Sequence, residues 1–464
     1  MKNNLIIKIC IITAIVSVVA GSTFLLTGYV YNSIINEEKH EVTDEHIKNE
    51  TEQYSDEAIK NSISNKAIQE SGQEKQDKDI AYEDVLTQKV DDMISKMTLE
   101  EKVAQLFFVT PEALTGMSQV TRAGEQSKNS FERYPVGGIL YFSQNFESPE
   151  QTKQMLKNMQ EIAIEKSKFK VFLAIDEEGG SVSRLQKKDN FNIPKTPTMK
   201  EMGEENDADK ARRVGLEIGT YLSEYGFNLN FAPDADVLTE PQNTVIGDRS
   251  FGKDPYMVSN MAREYIKGLE QAGVFGCYKH FPGHGGTLED SHNDFAYSYK
   301  TLEELKKEEL VPFLDAVDED VPFIMVSHIS LPNVTGDNTP ASLSKKIMND
   351  FLREELKYKG IIITDALDMG AINNHYSIKE AVKMSFNAGA DMLLITTDFK
   401  GAYASLVEAV KSGEISQERL DESLKRILVL KLNNQINKKT SYYYRIYNTG
   451  IFYLKKIKVD NILS

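Results

Sequence analysis

"VFLAID" (171–176) is an uninterrupted apolar run that ends on an acid, and "EEGG" (177–180) follows at once. A run without polar alternation suits a strand covered on both faces, as in a parallel sheet. The same form recurs along the chain as "LFFV" (106–109), "GGILYF" (137–142), "LNFAPD" (229–234) and "GCYKHF" (276–281). It continues as "FIMVSH" (323–328), "IIITDA" (361–366) and "DMLLIT" (391–396). Amphipathic segments such as "PEQTKQMLKNMQEIAIEK" and "DPYMVSNMAREYIKGLEQAG" lie between them. Eight β-then-α units predict an α/β protein built as a single (β/α)8 TIM-type barrel. Pattern alone leaves an open doubly wound sheet as the alternative.

The polar residues favour the barrel. Asp176, Asp234, His280, His328 and Asp365 each fall at or near the C-terminal end of a run, and barrel sites assemble at that face from several strands at once. A strand-end cap or a satisfied core group would account for any one of them, but not readily for all five.

The rest of the 464 residues divides by composition. Lys2 and Lys8 precede an uncharged apolar run, 9–31, long enough for the roughly 20 residues that span a bilayer. Residues 1–35 are therefore expected to be a transmembrane anchor with the lysines on the cytoplasmic side. A cleavable signal ending near "VVAGS" is the alternative. Either way the bulk of the protein is expected to be exported, anchored at the cell membrane or secreted. Residues 36–83 are rich in Glu, Lys, Asn, Ser and Gln and cannot bury enough apolar surface to offset chain entropy, so a disordered linker is expected, with a solvated charged helix as the rival for parts of it.

A folded domain over 84–437 should open with a helix in "DVLTQKVDDMISKM" and a second one capped by Thr98 and Glu101. Its last helix, "SQERLDESLKRILVLKLN", should end near Asn434. The tyrosine-rich, basic tail 438–464 has no pattern tying it to the barrel. A surface strand pair, a partner-binding segment or poor order would all fit it.

Composition also excludes some functions. A net charge of −16 argues against a nucleic-acid partner. Two cysteines, Cys10 and Cys277, make neither a disulfide framework nor a zinc–thiolate site.

Three stretches carry chemistry. In "AIDEEGGSVSRL", Asp176 ends a strand, Gly179-Gly180 permits a tight turn, and Arg184 follows. Asp and Arg together at a strand mouth suit a polyhydroxylated or acylated ligand, or a structural salt bridge. "IGDRSFG" adds Asp248 and Arg249, a weakly specific pair that could equally be structural. "KHFPGHGGTLEDSH" (279–292) holds three of the seven histidines.

A zinc site would need two His on one helical face, or His-x-His on a strand. Here Phe281-Pro282-Gly283 separates His280 from His284 and breaks any helix, so no metal is expected. Acid–base chemistry fits better: Asp290, two residues from His292, can hold one imidazole nitrogen and leave the other to exchange a proton. His284 reads as structural. Asp365, ending the seventh run in "IIITDALDMGAI", can attack an anomeric carbon, and Asp368 reads as a helix N-terminal residue.

Taken together, "AIDEEGGSVSRL", "FAPDADV", "GDRSFG", "KHFPGHGGTLEDSH", "SHI" and "TDALDMGAI" resemble glycoside hydrolase family 3, in particular its bacterial β-N-acetylhexosaminidases. The resemblance covers about 85–434. It implies Asp365 as nucleophile, His292 as acid/base and Asp290 as its dyad partner, with Asp176, Arg184, Arg249, Lys279 and His280 binding a terminal N-acetylglucosamine. It further implies a retaining exo-hydrolase acting without cofactor on β-linked N-acetylglucosamine, in peptidoglycan fragments or other glycans, from a monomeric catalytic domain.

A histidine base repels an incoming anion less than a carboxylate, so phosphorolysis is a variant of this expectation. A broader β-glycosidase, such as a β-glucosidase, and a non-catalytic membrane-tethered sugar-binding protein are the alternatives. The glucosidase-like branch takes its acid/base from a second domain, for which the roughly thirty residues after 434 are too few. Ser181 stands where the family often has Arg, which bears on fine substrate preference.

Overall fold

The computed structural model describes residues 86–291 and 293–448, with side chains described as far as Leu432. The expected anchor 1–35, the linker 36–83, His292 and the tail from 449 onward lie outside the described residues. Among the described residues no helix is long and apolar enough to cross a membrane.

The fold is α/β, and all eight expected runs carry strand. β1 (Phe107–Val109), β2 (Gly138–Tyr141), β3 (Phe172–Ile175), β4 (Leu229–Asn230) and β5 (Phe275–Gly276) pair in that order, all parallel. β6 (Tyr278–Phe281) pairs with β8 (Phe323–Val326), and β8 with β10 (Ile361–Thr364). Parallel bridges Asp234–Lys279 and Ile363–Met392 join the two sheets, and β11 (Leu393–Ile395) returns to β1. The pairing therefore closes on the strand where it began. Outside this ring, β7 (Ala296–Tyr297) pairs with β9 (Ile329–Ser330).

The expected fifth strand, 276–281, is divided. β4 stops at Asn230, and Pro233 has no N–H to donate to a ladder. Contact continues instead through Cys277 N to Ala232 O (2.9 Å) and Ala235 N to Lys279 O (2.7 Å). This brings Asp234 beside Lys279.

Helix boundaries follow local chemistry. Thr98 and Glu101 form the expected capping box on Leu99–Ala104. Ser148 with Pro149, and Asp254 with Pro255, start the helices Pro149–Ser167 and Pro255–Gln271. The last helix runs from Gln417 to Asn448, beyond the expected end near Asn434. No Gly or Pro interrupts that stretch, so nothing in the backbone stops it.

Inside the ring, Phe172, Phe275 and Phe323, each the first residue of its strand, meet with centroids 5.2–6.2 Å apart and close the N-terminal end. Complete burial of such a ring contributes roughly 1.5–3 kcal/mol. The C-terminal ends are lined by buried polar groups instead.

Candidate active site

Three acids, Asp176, Glu178 and Asp234, and four basic residues, Arg184, Arg249, Lys279 and His280, converge where β3, β4 and β6 end. Lys279 Nζ lies 2.6 Å from Glu178 Oε1 and 3.1 Å from Asp176 Oδ1. Arg249 grips the same Glu178 through Nε (3.0 Å) and Nη2 (2.8 Å), and its Nη2 stands 3.3 Å from Asp234 Oδ2 and from His280 Nε2. Arg184 reaches Asp176 Oδ2 at 3.5 Å, with its guanidinium over the Phe142 ring. Asp176, Arg184, Arg249, Lys279 and His280 thus form one connected network.

Local folding explains the convergence. Gly179 (φ +94°) and Gly180 (φ +55°) turn the chain after β3, and a Cβ on Gly179 would lie 2.6 Å from Thr196 Oγ1. Buried Glu177 then accepts the backbone N–H groups of Arg184, Leu185 and Gln186 and the Tyr221 hydroxyl, which folds Arg184 back over the site. Ser181 donates to Asp248 (2.7 Å) and ties this turn to the one carrying Arg249. Asp248 and Arg249 are therefore not a structural pair with each other.

Electrostatics decide which groups are charged. Burial pushes Glu178 up, but Arg249 and Lys279 more than reverse this and hold its carboxyl well below the usual range. Burial likewise opposes a charge on Lys279, and Glu178 and Asp176 overcome it, raising the ammonium. Asp236 accepts from His280 Nδ1 (2.7 Å) and from the His284 backbone N–H (2.6 Å). Against the cost of burial, His280 keeps Asp236 low. Burial and the Asp236 charge together push Asp234 up.

Asp234, Asp236 and His280 place ligand atoms within 4.8 Å of one another, a grouping able to hold a cation. Arg249 already brings its positive charge to 3.3 Å from both Asp234 and His280, so this corner has a resident cation of its own.

The loop from Gly283 leads to Asp290, the described half of the expected acid–base pair. Gly285 packs so closely that a Cβ would stand 2.1 Å from Val237 O. Glu309 packs under the start of the loop: its side chain lies against Gly283 and Gly286, and its carboxylate accepts from Thr239 and Lys300. His284 staples the middle through Thr287 Oγ1 (2.8 Å) and Ser291 Oγ (2.9 Å). Burial lowers His284 to about 4, so it is neutral near pH 7 and acts as a structural residue.

Asp290 accepts from Asn293 Nδ2 (3.0 Å), and the loop docks on the helix Gly370–Asn373 through Ala371 N to Ser291 O. Asp365 begins the turn that leads from β10 to that helix, and its Oδ1 accepts from Ala366 N (2.8 Å). It follows directly on the last residue of β10, Thr364, and so stands at the C-terminal end of the strands. Asp368 stands two residues before that helix and accepts from Thr396 N and Oγ1, tying the turn to the end of β11. His328 is buried between Ser342 Oγ (2.7 Å) and Ala366 O (2.9 Å), and thereby supports the Asp365 turn.

Residues 98–430 match the family model for the glycosyl hydrolase family 3 N terminal domain. The chain belongs to glycosyl hydrolase family 3. It is similar to "Beta-hexosaminidase A" of Pseudoalteromonas piscicida, 33% identical over 320 residues, covering 64% of this chain and 54% of that protein. It is also similar to "Beta-hexosaminidase" of Nitrosomonas eutropha, 33% identical over 269 residues, covering 57% and 74%. Among solved structures it resembles a glycoside hydrolase family 3 beta-N-acetylglucosaminidase from Paenibacillus sp. str. FPU-7, with TM-score 0.69 and 35% identity, over 74% of this chain and 63% of that one. The chain thus spans little more than half the length of the first of these relatives.

In this family 3 chain, sequence reasoning missed Glu178, which holds Arg249 and Lys279, and Asp236, which holds His280 and the His284 backbone. Asp236 carried a signal: it stands two residues from Asp234 in "PDADV", so an extended backbone turns both to one side.

Proposed function

We propose that the closed parallel ring is a (β/α)8 barrel and that the chain is a retaining exo-β-N-acetylhexosaminidase. The observation that carries this reading is the chain Asp176–Lys279–Glu178–Arg249 at the strand ends, buried at its centre and half-buried at its two outer members. Such pre-set, mostly shielded charges suit directional hydrogen bonds to the hydroxyls and acetamido group of a terminal sugar. Asp176, Arg184, Arg249, Lys279 and His280 would bind that sugar.

Asp365 would attack its anomeric carbon while His292, held by Asp290, protonates the departing oxygen. The neutral His292 would then activate the water that releases the sugar. The names of the relatives support N-acetylglucosamine as the terminal unit. We further propose peptidoglycan fragments as the natural glycan, and export of the domain behind an anchor at 9–31.

Turnover of the 4-nitrophenyl β-glycosides of N-acetylglucosamine and of glucose tests the activity, with the first-formed anomer read by proton NMR. Preference for N-acetylglucosamine with β-anomer released first is expected. Preference for glucose, or α-anomer first, overturns the reading. Inorganic phosphate added to the same assay would yield a sugar phosphate if phosphorolysis competes.

A further inference from the structure

The segment that leaves the acid–base loop reads "FAYSY" (295–299) and is built inside out. In a half-buried strand the apolar side chains face the protein and the polar ones face water. Here Ala296 and Ser298 are the buried positions, whereas Phe295 and Tyr297 are half-buried and Tyr299 is 66% exposed. The three aromatics share the outward face through the period of two.

They form a row. Tyr297 and Tyr299 lie nearly parallel, 9° apart in plane with centroids 5.9 Å apart, and Phe295 meets Tyr297 edge-on at 6.1 Å. Phe295 stacks on His375 at 3.9 Å and 14°, and Asp294 holds that imidazole by its Nε2 at 2.7 Å. Leu288, in the same loop, is 59% exposed. Among the described residues neither the Tyr297 nor the Tyr299 hydroxyl has a hydrogen-bond partner.

The row stands at the mouth of the ring. β9, which pairs with β7, begins three residues after β8 ends and so extends the wall past the C-terminal ends of the strands. His375 follows the Asp365 turn by way of the helix Gly370–Asn373, and Phe295 lies five residues past Asp290.

We propose that Phe295, Tyr297, Tyr299 and His375 form a leaving-group subsite that stacks the pyranose rings of the departing saccharide. The inference rests on the glycosidase reading. An acid/base group protonates the glycosidic oxygen, so whatever lies beyond that oxygen must pass the strip attached to the acid–base loop. An outward-facing aromatic row with free phenols matches a sugar chain, which offers an apolar C–H face rimmed by hydroxyls.

The test compares kcat/KM for the β-1,4-linked trimer of N-acetylglucosamine with that for N-acetyl-β-D-glucosaminyl azide, whose leaving group is too small to reach the strip. In the full chain, the double variant Tyr297→Ala/Tyr299→Ala should lower the trimer-to-azide ratio about tenfold, in line with an aromatic contact or two. Tyr297→Phe/Tyr299→Phe, which keeps the rings, should hold the ratio within about twofold of wild type. An unchanged ratio in the alanine variant overturns the subsite, even if both rates fall together. A wild-type chain inactive on both substrates overturns the glycosidase reading and the subsite with it.

Discussion

Two buried lysines mark the two ends of the ring, and they are treated in opposite ways. Lys279, 3% exposed at the C-terminal mouth, lies between Glu178 and Asp176. Lys431, 2% exposed at the N-terminal floor, donates to the neutral Gln105 Oε1 (2.8 Å) and sits over the Phe172 ring. Both lose water to the same degree. The carboxylates hold Lys279 charged, whereas burial alone lowers Lys431 to about 7. Burial of a charge is therefore not what distinguishes the functional end. Paired charge is, because it stays available to a ligand at neutral pH.

Removing the paired lysine should have the largest effect. Lys279→Met leaves Glu178 and Asp176 short of a cation, which should cost about 3–5 kcal/mol in urea unfolding. It should also lower kcat/KM on the aryl N-acetylglucosaminide by about 10²–10³-fold. A variant as stable and active as wild type would break the contrast.

The floor lysine should respond the other way. Its folded pKa, about 7, lies below the 10.5 of the unfolded chain. The unfolded state therefore holds the extra proton between these values, and stability rises as pH climbs through that window. Lys431→Met should abolish this rise. At pH 7 it should stabilise the protein by on the order of 3 kcal/mol, after deducting the lost bond to Gln105, and the gain should vanish near pH 10.5. Urea midpoints at pH 7 and pH 10 check this. The smallest expected effect is on catalysis: kcat/KM of Lys431→Met at pH 7 should stay within about twofold of wild type, since the residue lies at the far end of the ring.

The same contrast explains what could be read from the sequence. Strand positions and the polar residues at their ends were legible, because a strand buried on both faces leaves an apolar run and the chemistry sits where the run stops. Glu178 was not. In "DEEGG" an acidic pair reads as a solvated turn, and only the tertiary approach of Arg249 and Lys279 makes its burial tolerable. Lys431 was hidden for a related reason. In "ILVLKLN" it reads as the polar side of an amphipathic helix, and nothing local says that this face closes the floor of a ring. Asp368 does stand just ahead of a short helix, but Thr396, just past the end of a strand that neighbours it only in three dimensions, claims its carboxylate, and nothing local announces that.

The central claim is that the charged mouth holds a terminal N-acetylglucosamine while Asp365 attacks it. Intact-mass and peptide mass spectrometry after treatment with a 5-fluoro-N-acetylglucosaminyl fluoride tests this most directly, since such a reagent forms the glycosyl-enzyme readily and hydrolyses it slowly. One sugar per chain, on the peptide containing Asp365 and absent from the Asp365→Asn variant, is the predicted result. An adduct on another carboxylate, or steady turnover by Asp365→Asn at the wild-type rate, would contradict it.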